Sequence, residues 1–221
     1  MRGTLGQRVR RNTPDHYQFC SCAREVCWPS INAFLLMFQE VRSISKTCNQ
    51  LFVIMEHATR RILHSNVTAH PTAHWALQQL RDAIPADHTY RFLLHDRDSI
   101  FSQQLDQSIR NLGLWVLKTP PQTPQANALC ERLLGTLRRE CLDCVIPLTE
   151  NHLGRLLHLW VPHYNHGRPH MALGPGLPQP SLSIPVSLQA HRHRLPPPLR
   201  VGTRPILGGL HHEYWLEEQA A

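Results

Sequence analysis

Asp96 and Glu131 are the residues of this chain best suited to chemistry on phosphate. Asp96 closes an apolar run, Phe92-Leu93-Leu94-His95, and Glu131 follows Pro124-Gln125-Ala126-Asn127-Ala128-Leu129-Cys130, with 34 residues between the two acids. A carboxylate at a strand end and another on a helix offer hard oxygen donors, which Mg²⁺ or Mn²⁺ prefers. Two such ions, roughly 4 Å apart, clamp the attacking and leaving oxygens of an in-line displacement at phosphorus. Each acid also has a plainer reading. Asp96 could simply cap a turn, and Glu131 could be an exposed helix residue paired with Arg132.

Helical geometry, about 100° per residue, sets Asn127, Glu131, Gly135 and Arg138 within roughly 40° of one direction. Cys130, Leu133, Leu134, Leu137 and Cys141 centre roughly 100° away and face a core. Glu131 therefore lies on a polar stripe beside a glycine, near a helix N-terminus whose dipole favours an anion. Asn127 is placed to position a phosphate or the preceding loop. Arg138 and Arg139 carry guanidinium forks that match DNA phosphates, with a solvated helix face as the alternative. Asp98 reads as a turn residue and His95 as a strand residue. Glu56 reads as the start of a hairpin turn with Arg60 and Arg61.

The elements that must position these side chains follow from pattern. Phe34–Phe38, Leu51–Met55 and Arg60–Ala69 read as three strands in a meander, the last alternating Ile62, His64, Asn66, Thr68 against Leu63, Ser65, Val67, Ala69. Thr72–Ala83 reads as a helix with an apolar stripe of Trp75, Leu77, Leu80 and Ile84. Arg91–His95 and Leu114–Leu117 are two further strands. Between them a helix is capped by Ser102 and stopped by Gly113. This alternation implies parallel pairing. Helices are expected over Ala126–Leu142 and Thr149–Tyr164. The Pro-rich stretch beyond Gly174 reads as an extended tail, with a small hairpin over Val201–Trp215 turning at Gly208-Gly209.

The chain has 221 residues, enough for one good core with extensions, and a net charge of +7. A basic surface raises local phosphate concentration and supplies sequence-independent affinity for nucleic acid. No apolar run approaches a membrane span, and no leader pattern is visible. A cytoplasmic protein is therefore expected, and its seven cysteines are read as reduced thiols. Cys20, Cys22 and Cys27 cluster near His16, but their spacing lacks paired zinc knuckles. Cys130, Cys141 and Cys144 read as small core residues.

Three segments occur in order: that of Asp96, Pro124-Gln125-Ala126-Asn127 leading to Glu131-Arg132, and Tyr164-Asn165 followed by Arg168-Pro169-His170 and Leu173. Together they resemble the catalytic core of insertion-sequence transposases and retroviral-type integrases, the DDE family, from about Leu51 to Pro178. The resemblance implies an α/β, RNase H-like fold with a mixed five-stranded sheet flanked by helices. It implies Asp96 and Glu131 as catalytic metal ligands for Mg²⁺ or Mn²⁺, and an architectural role for the Tyr164–His170 signature. It implies DNA as partner (element ends and target), a homo-oligomer on that DNA, and a bacterial-type protein associated with the nucleoid when bound. The activity implied is metal-dependent cleavage and strand transfer in DNA integration, recombination or transposition.

The family's first Asp, on the first strand, is absent. The best local alignment sets Ala33 in its place, and Glu40 sits in no matching context. The implied activity is accordingly impaired, with a non-catalytic nucleic-acid-binding protein as the alternative. The expected organisation is an irregular N-terminal remnant over 1–30, the core over 31–178 and the Pro-rich tail over 179–221.

Overall fold

Ten residues from Ala33 to Arg42 form β1, the strand around which the sheet is built. The computed structural model describes residues 33–42, 48–96, 98–119, 128–174, 176–180 and 198–218. The stretch Ala33-Phe34-Leu35-Leu36-Met37 is buried on both faces, so apolar residues run on without alternation. Phe34 and Leu36 enter one core cluster, and Leu35 and Met37 the other.

β2 (Cys48–Glu56) pairs antiparallel with β1, and β3 (Ile62–Thr68) antiparallel with β2. β4 (Phe92–His95) lies parallel to β1, and β5 (Trp115–Lys118) parallel to β4. The strand order is β3-β2-β1-β4-β5. Helices α1 (Ala73–Ala83) and α2 (Gln103–Asn111) cover the Phe34 face. Helices α3 (Ala128–Leu137) and α4 (Glu150–His166) cover the Met37 face. This is the mixed five-stranded sheet flanked by helices that the resemblance implies.

Caps fix three of the helix starts. The hydroxyls of Thr72, Ser102 and Thr149 accept the N–H groups of Trp75, Leu105 and His152, which an uncapped first turn would leave unpaired.

The structure differs from the sequence reading at four places. β1 runs to Arg42 rather than Phe38, because β2 keeps pairing with it beyond the apolar stretch, as far as Cys48. The strict alternation expected in β3 fails. A bulge pairs Ile54 with His64 but Met55 with Ile62, so Ile62 and Val67, of opposite parity, face the same core. The helix expected to reach Leu142 leaves α geometry after Leu137. Its last turn, Arg138–Leu142, is π-helical and closes with Asp143 N–H on the Arg138 carbonyl at 2.8 Å. Cys144, expected in the core, is exposed beyond that turn, whereas Cys130 and Cys141 are buried.

The expected terminal hairpin is formed by β6 (Leu199–Ile206) and β7 (His211–Glu218). A two-stranded sheet is marginal alone, and this one docks on α4 instead of trailing free. Its Glu213 Oε1 lies 3.0 Å from His163 Nδ1, and the ring of His211 stacks on that of His163. Gly202 lets the Trp215 ring lie flat on the opposite strand, where a Cβ would stand 2.5 Å from it. Burial alone would raise the Glu213 carboxyl. Hydrogen bonds from Arg204 and His163 outweigh it and hold that carboxyl below its ordinary value. The N-terminal remnant, with His16 and its cysteine cluster, and most of the Pro-rich tail lie outside the described residues.

His57, in the β2–β3 turn, is 6% exposed and donates its N–H to the Ala33 carbonyl. Burial, with the Arg60 charge second, lowers its pKa from 6.5 to about 4. The folded chain then binds fewer protons than the unfolded one in that window. Stability from this group is complete above about pH 6.5 and is lost as pH falls towards 4, on the order of 2–3 kcal/mol. His57→Gln should flatten this acid limb in urea titrations at pH 7.5 and 4.5. An unchanged limb would remove His57 as its source.

Candidate functional site

The end of β4 is held from below by a buried polar chain. His95, 1% exposed, bonds through Nδ1 to the Asp96 carbonyl and through Nε2 to Asp106 Oδ1 at 3.1 Å. Lys118, ending β5, reaches Asp106 Oδ2 at 2.6 Å, and Phe101 stacks on the His95 ring at 4.2 Å. A buried carboxylate needs partners of this kind. The chain ties β4, α2 and β5 together directly under Asp96. Sequence reasoning missed Asp106 and Lys118. The available signal was an acid beside Leu105 in an otherwise apolar stripe.

Asp96 is half-buried at the carboxyl end of β4, where open α/β sheets present ligand-binding residues. Its Oδ1 accepts the Asp98 N–H at 3.1 Å, the turn-capping contact of the plainer reading. Asp98 caps in its turn, with Oδ1 accepting the Ile100 N–H at 3.0 Å.

Glu131 sits exposed in the first turn of α3. With Gly135 and Arg138 it lines an open groove of about 580 Å³, closed on the other side by Gln39, Glu40 and Val41 of β1. Arg138 is exposed, with Nε 3.3 Å from Asp143 Oδ1. The Arg139 guanidinium lies over Gly135, with Nη1 3.1 Å from where a Cβ would stand. Asn127 lies outside the described residues.

Cys130 is 1% exposed. Burial first, and then the fields of Asp96 and Glu131, push its thiol far up. The β1–β4 register pairs Ala33 with Phe92 and Leu35 with Leu94. Continued two residues past its last pair, that register would set Met37 beside Asp96, whereas Ala33 pairs with Phe92. Met37 is 1% exposed and packs in the same cluster as Cys130, Leu133 and Leu137.

These donors match a hard divalent ion in kind but not in number. Asp96 and Glu131 supply two carboxylates, and among the described residues no group of three or more metal-ligating side chains is gathered. The two acids fall short of a two-ion clamp.

Residues 113–178 match the integrase core domain family. The fold aligns with a chain of the simian T-cell lymphotropic virus intasome, determined in complex with PP2A regulatory subunit B56 gamma. The alignment covers 85% of this chain and 67% of that one, at 16% identity and a TM-score of 0.52. The fold is therefore like that of the intasome chain, and its later part matches the integrase core family. The core also aligns with the catalytic core domain of BIV integrase, over 66% of this chain and 90% of that one, at 18% identity and a TM-score of 0.48. No curated protein sequence matches the chain. The family match contains Glu131, the π-helical turn and the Tyr164–His170 signature, and Asp96 lies before it.

The Tyr164–His170 signature ties the core together. Asn165 accepts the Ile62 N–H through Oδ1 and donates through Nδ2 to the Ile62 carbonyl, both at 2.9 Å. Tyr164 packs on Trp160 and on the edge of His170. Arg168 makes three hydrogen bonds of 2.7–2.9 Å to the Glu140 carboxylate in the π-helical turn. Among the described residues no helix is long and apolar enough to cross a membrane.

Proposed function

We propose that this chain is an integrase- or transposase-like protein that acts on DNA, with its metal-dependent cleavage and strand transfer impaired. The observation that carries the reading is the pairing of two acids with one missing partner. Asp96 lies half-buried at the carboxyl end of β4, Glu131 lies in the first turn of α3, and the β1–β4 register, continued two residues, would set Met37 beside Asp96. The two carboxylates would hold Mg²⁺ or Mn²⁺, which when bound would stabilise charge developing on a phosphodiester. Without the third ligand most of the activity is lost. Exposed Arg138 and Arg139 would contact the backbone of the DNA, with Asn127 beside them. The net charge of +7 supports a polyanionic partner, and the likeness to a chain from an intasome supports self-association on DNA.

The second reading, a non-catalytic nucleic-acid-binding protein on an integrase scaffold, is favoured by the same Met37. Nicking of supercoiled DNA in Mg²⁺ tests both. The expected result is salt-sensitive duplex binding with nicking near background. Nicking well above background, abolished by Asp96→Asn and by Glu131→Gln, would show an intact enzyme. An absence of duplex binding at low salt would sink both readings.

A further inference from the structure

The last four carbonyls of a helix have no partner within it and must be met by something else. The helix that begins as α3 ends in the π-helical turn Arg138–Leu142, an uncommon geometry that often marks a functional site. The Arg138 carbonyl takes the Asp143 N–H at 2.8 Å, and the Cys141 carbonyl takes the Cys144 N–H at 3.2 Å. The Arg139 carbonyl accepts from the Cys144 thiol at 3.6 Å. The Glu140 carbonyl is met from outside the helix, by His211 Nε2 at 2.6 Å. A carbonyl only accepts, so that nitrogen carries the proton.

The imidazole belongs to the terminal hairpin, 71 residues further along the chain, and its aim is fixed by the docking of that hairpin. Leu207, at the tip, has a left-handed φ of 51° and packs against the core cluster on the α3–α4 face. The His211 ring lies on that of His163 at 4.9 Å and 17°. Glu213 accepts from the same His163 and seats its carboxylate on Gly167, where a Cβ would stand 2.5 Å from Oε1. Arg168, the next residue, grips the Glu140 side chain. Glu140 is therefore held at its carbonyl by the hairpin and at its carboxylate by the end of α4. Directly before it stand Arg138 and Arg139, both exposed.

We propose that His211 is a positioning residue: by capping Glu140 it holds the π-helical turn in the geometry that presents Arg138 and Arg139 to a DNA backbone. This rests on the DNA-handling reading and gives the terminal hairpin a part in it. The hairpin is not itself a basic surface, since its Arg200 and Arg204 are answered by Glu217 and Glu213. Its contribution is the cap. Without the His211 donor the turn would relax towards the regular i→i+4 ladder, and the residues along it would point in new directions. Arg138 Nε now lies 3.3 Å from Asp143 Oδ1, and the Arg139 guanidinium lies over Gly135. Both placements depend on the π geometry.

Duplex binding by the full chain over a range of salt tests this, with amide exchange as the local readout. His211→Phe keeps a ring on His163 and donates nothing. Exchange at Asp143 and Cys144 should speed up about tenfold, as for the loss of one hydrogen bond. The slope of log affinity against log salt should fall by about one to two, as for the loss of one or two phosphate contacts. His211→Gln, whose amide reaches the same carbonyl, should recover most of both. With Arg138→Gln and Arg139→Gln already in place, His211→Phe should change the slope no further. In wild type, imidazole NMR should show a proton on His211 Nε2.

An unchanged salt slope in folded His211→Phe, with wild type binding duplex, overturns the positioning role and leaves the proposed function intact. So does a slope that falls further when His211→Phe is added to the double arginine variant. A His211 proton confined to Nδ1 overturns the cap itself, without any variant having to fold. Wild type that binds no duplex sinks the DNA reading and the positioning role together, and faster exchange in His211→Phe would then show a structural cap alone.

Discussion

Replacing Met37 by aspartate should lower stability in EDTA by about 3–5 kcal/mol, the range for an unpaired carboxyl put into a core. It should also make the protein respond to Mg²⁺. Met37 is 1% exposed in a cluster with Cys130, Leu133 and Leu137, so the new group gains no water. On the proposed reading it would also join Asp96 and Glu131, the register of β1 on β4 setting residue 37 beside Asp96 when continued two residues. Three carboxylates at close quarters repel, and a divalent cation is what relieves them. At Mg²⁺ about 100-fold above Kd, linkage returns about 2.7 kcal/mol. Urea titrations with Mg²⁺ and with EDTA check this without any assay of cleavage. Met37→Asn should be destabilised with no Mg²⁺ response, and adding Asp96→Asn to Met37→Asp should remove the response. A Met37→Asp protein indifferent to Mg²⁺ would mean that β1 residue 37 does not face the two acids, and the impaired-centre reading would lose its basis.

The position of Met37 shows where the sequence stopped being legible. The sheet, its parallel half and the strand end carrying Asp96 were readable, because two-sided burial leaves continuous apolar runs and Ser102 and Thr149 mark their helices. The family segments singled out Glu131 by resemblance alone. The place of the missing Asp was not legible, since Ala33-Phe34-Leu35-Leu36-Met37 is apolar throughout and offers nothing to anchor a register. Only pairing with β4 separates Ala33 from Met37. The β3 bulge escaped notice for a similar reason. Alternation in sequence counts residues, whereas a bulge changes how many residues count on one strand. The chain from His95 through Asp106 to Lys118 joins residues from three elements. Local patterns do not report such contacts.

Asn165→Ala should cost about 3–5 kcal/mol and loosen β3 more than the rest of the sheet. β3 is an edge strand, and at Ile62 the Asn165 amide stands in for the missing neighbour, bonding both the N–H and the carbonyl. Truncation leaves two buried backbone groups unpaired, at about 1–3 kcal/mol each. Asn165→Asp should recover little. Its second oxygen would face the Ile62 carbonyl, two acceptors in contact, and the carboxylate would be buried beside them. Urea denaturation gives the energy, and amide exchange across Ile62–Thr68 gives the location. Loss spread evenly over all five strands would show that Asn165 acts on global packing rather than on this edge. Asp96 and Glu131 lie on β4 and α3, outside the pairing that Asn165 completes. Duplex binding by the folded fraction of Asn165→Ala should therefore keep the wild-type salt slope. A changed slope would tie the edge strand to the DNA path.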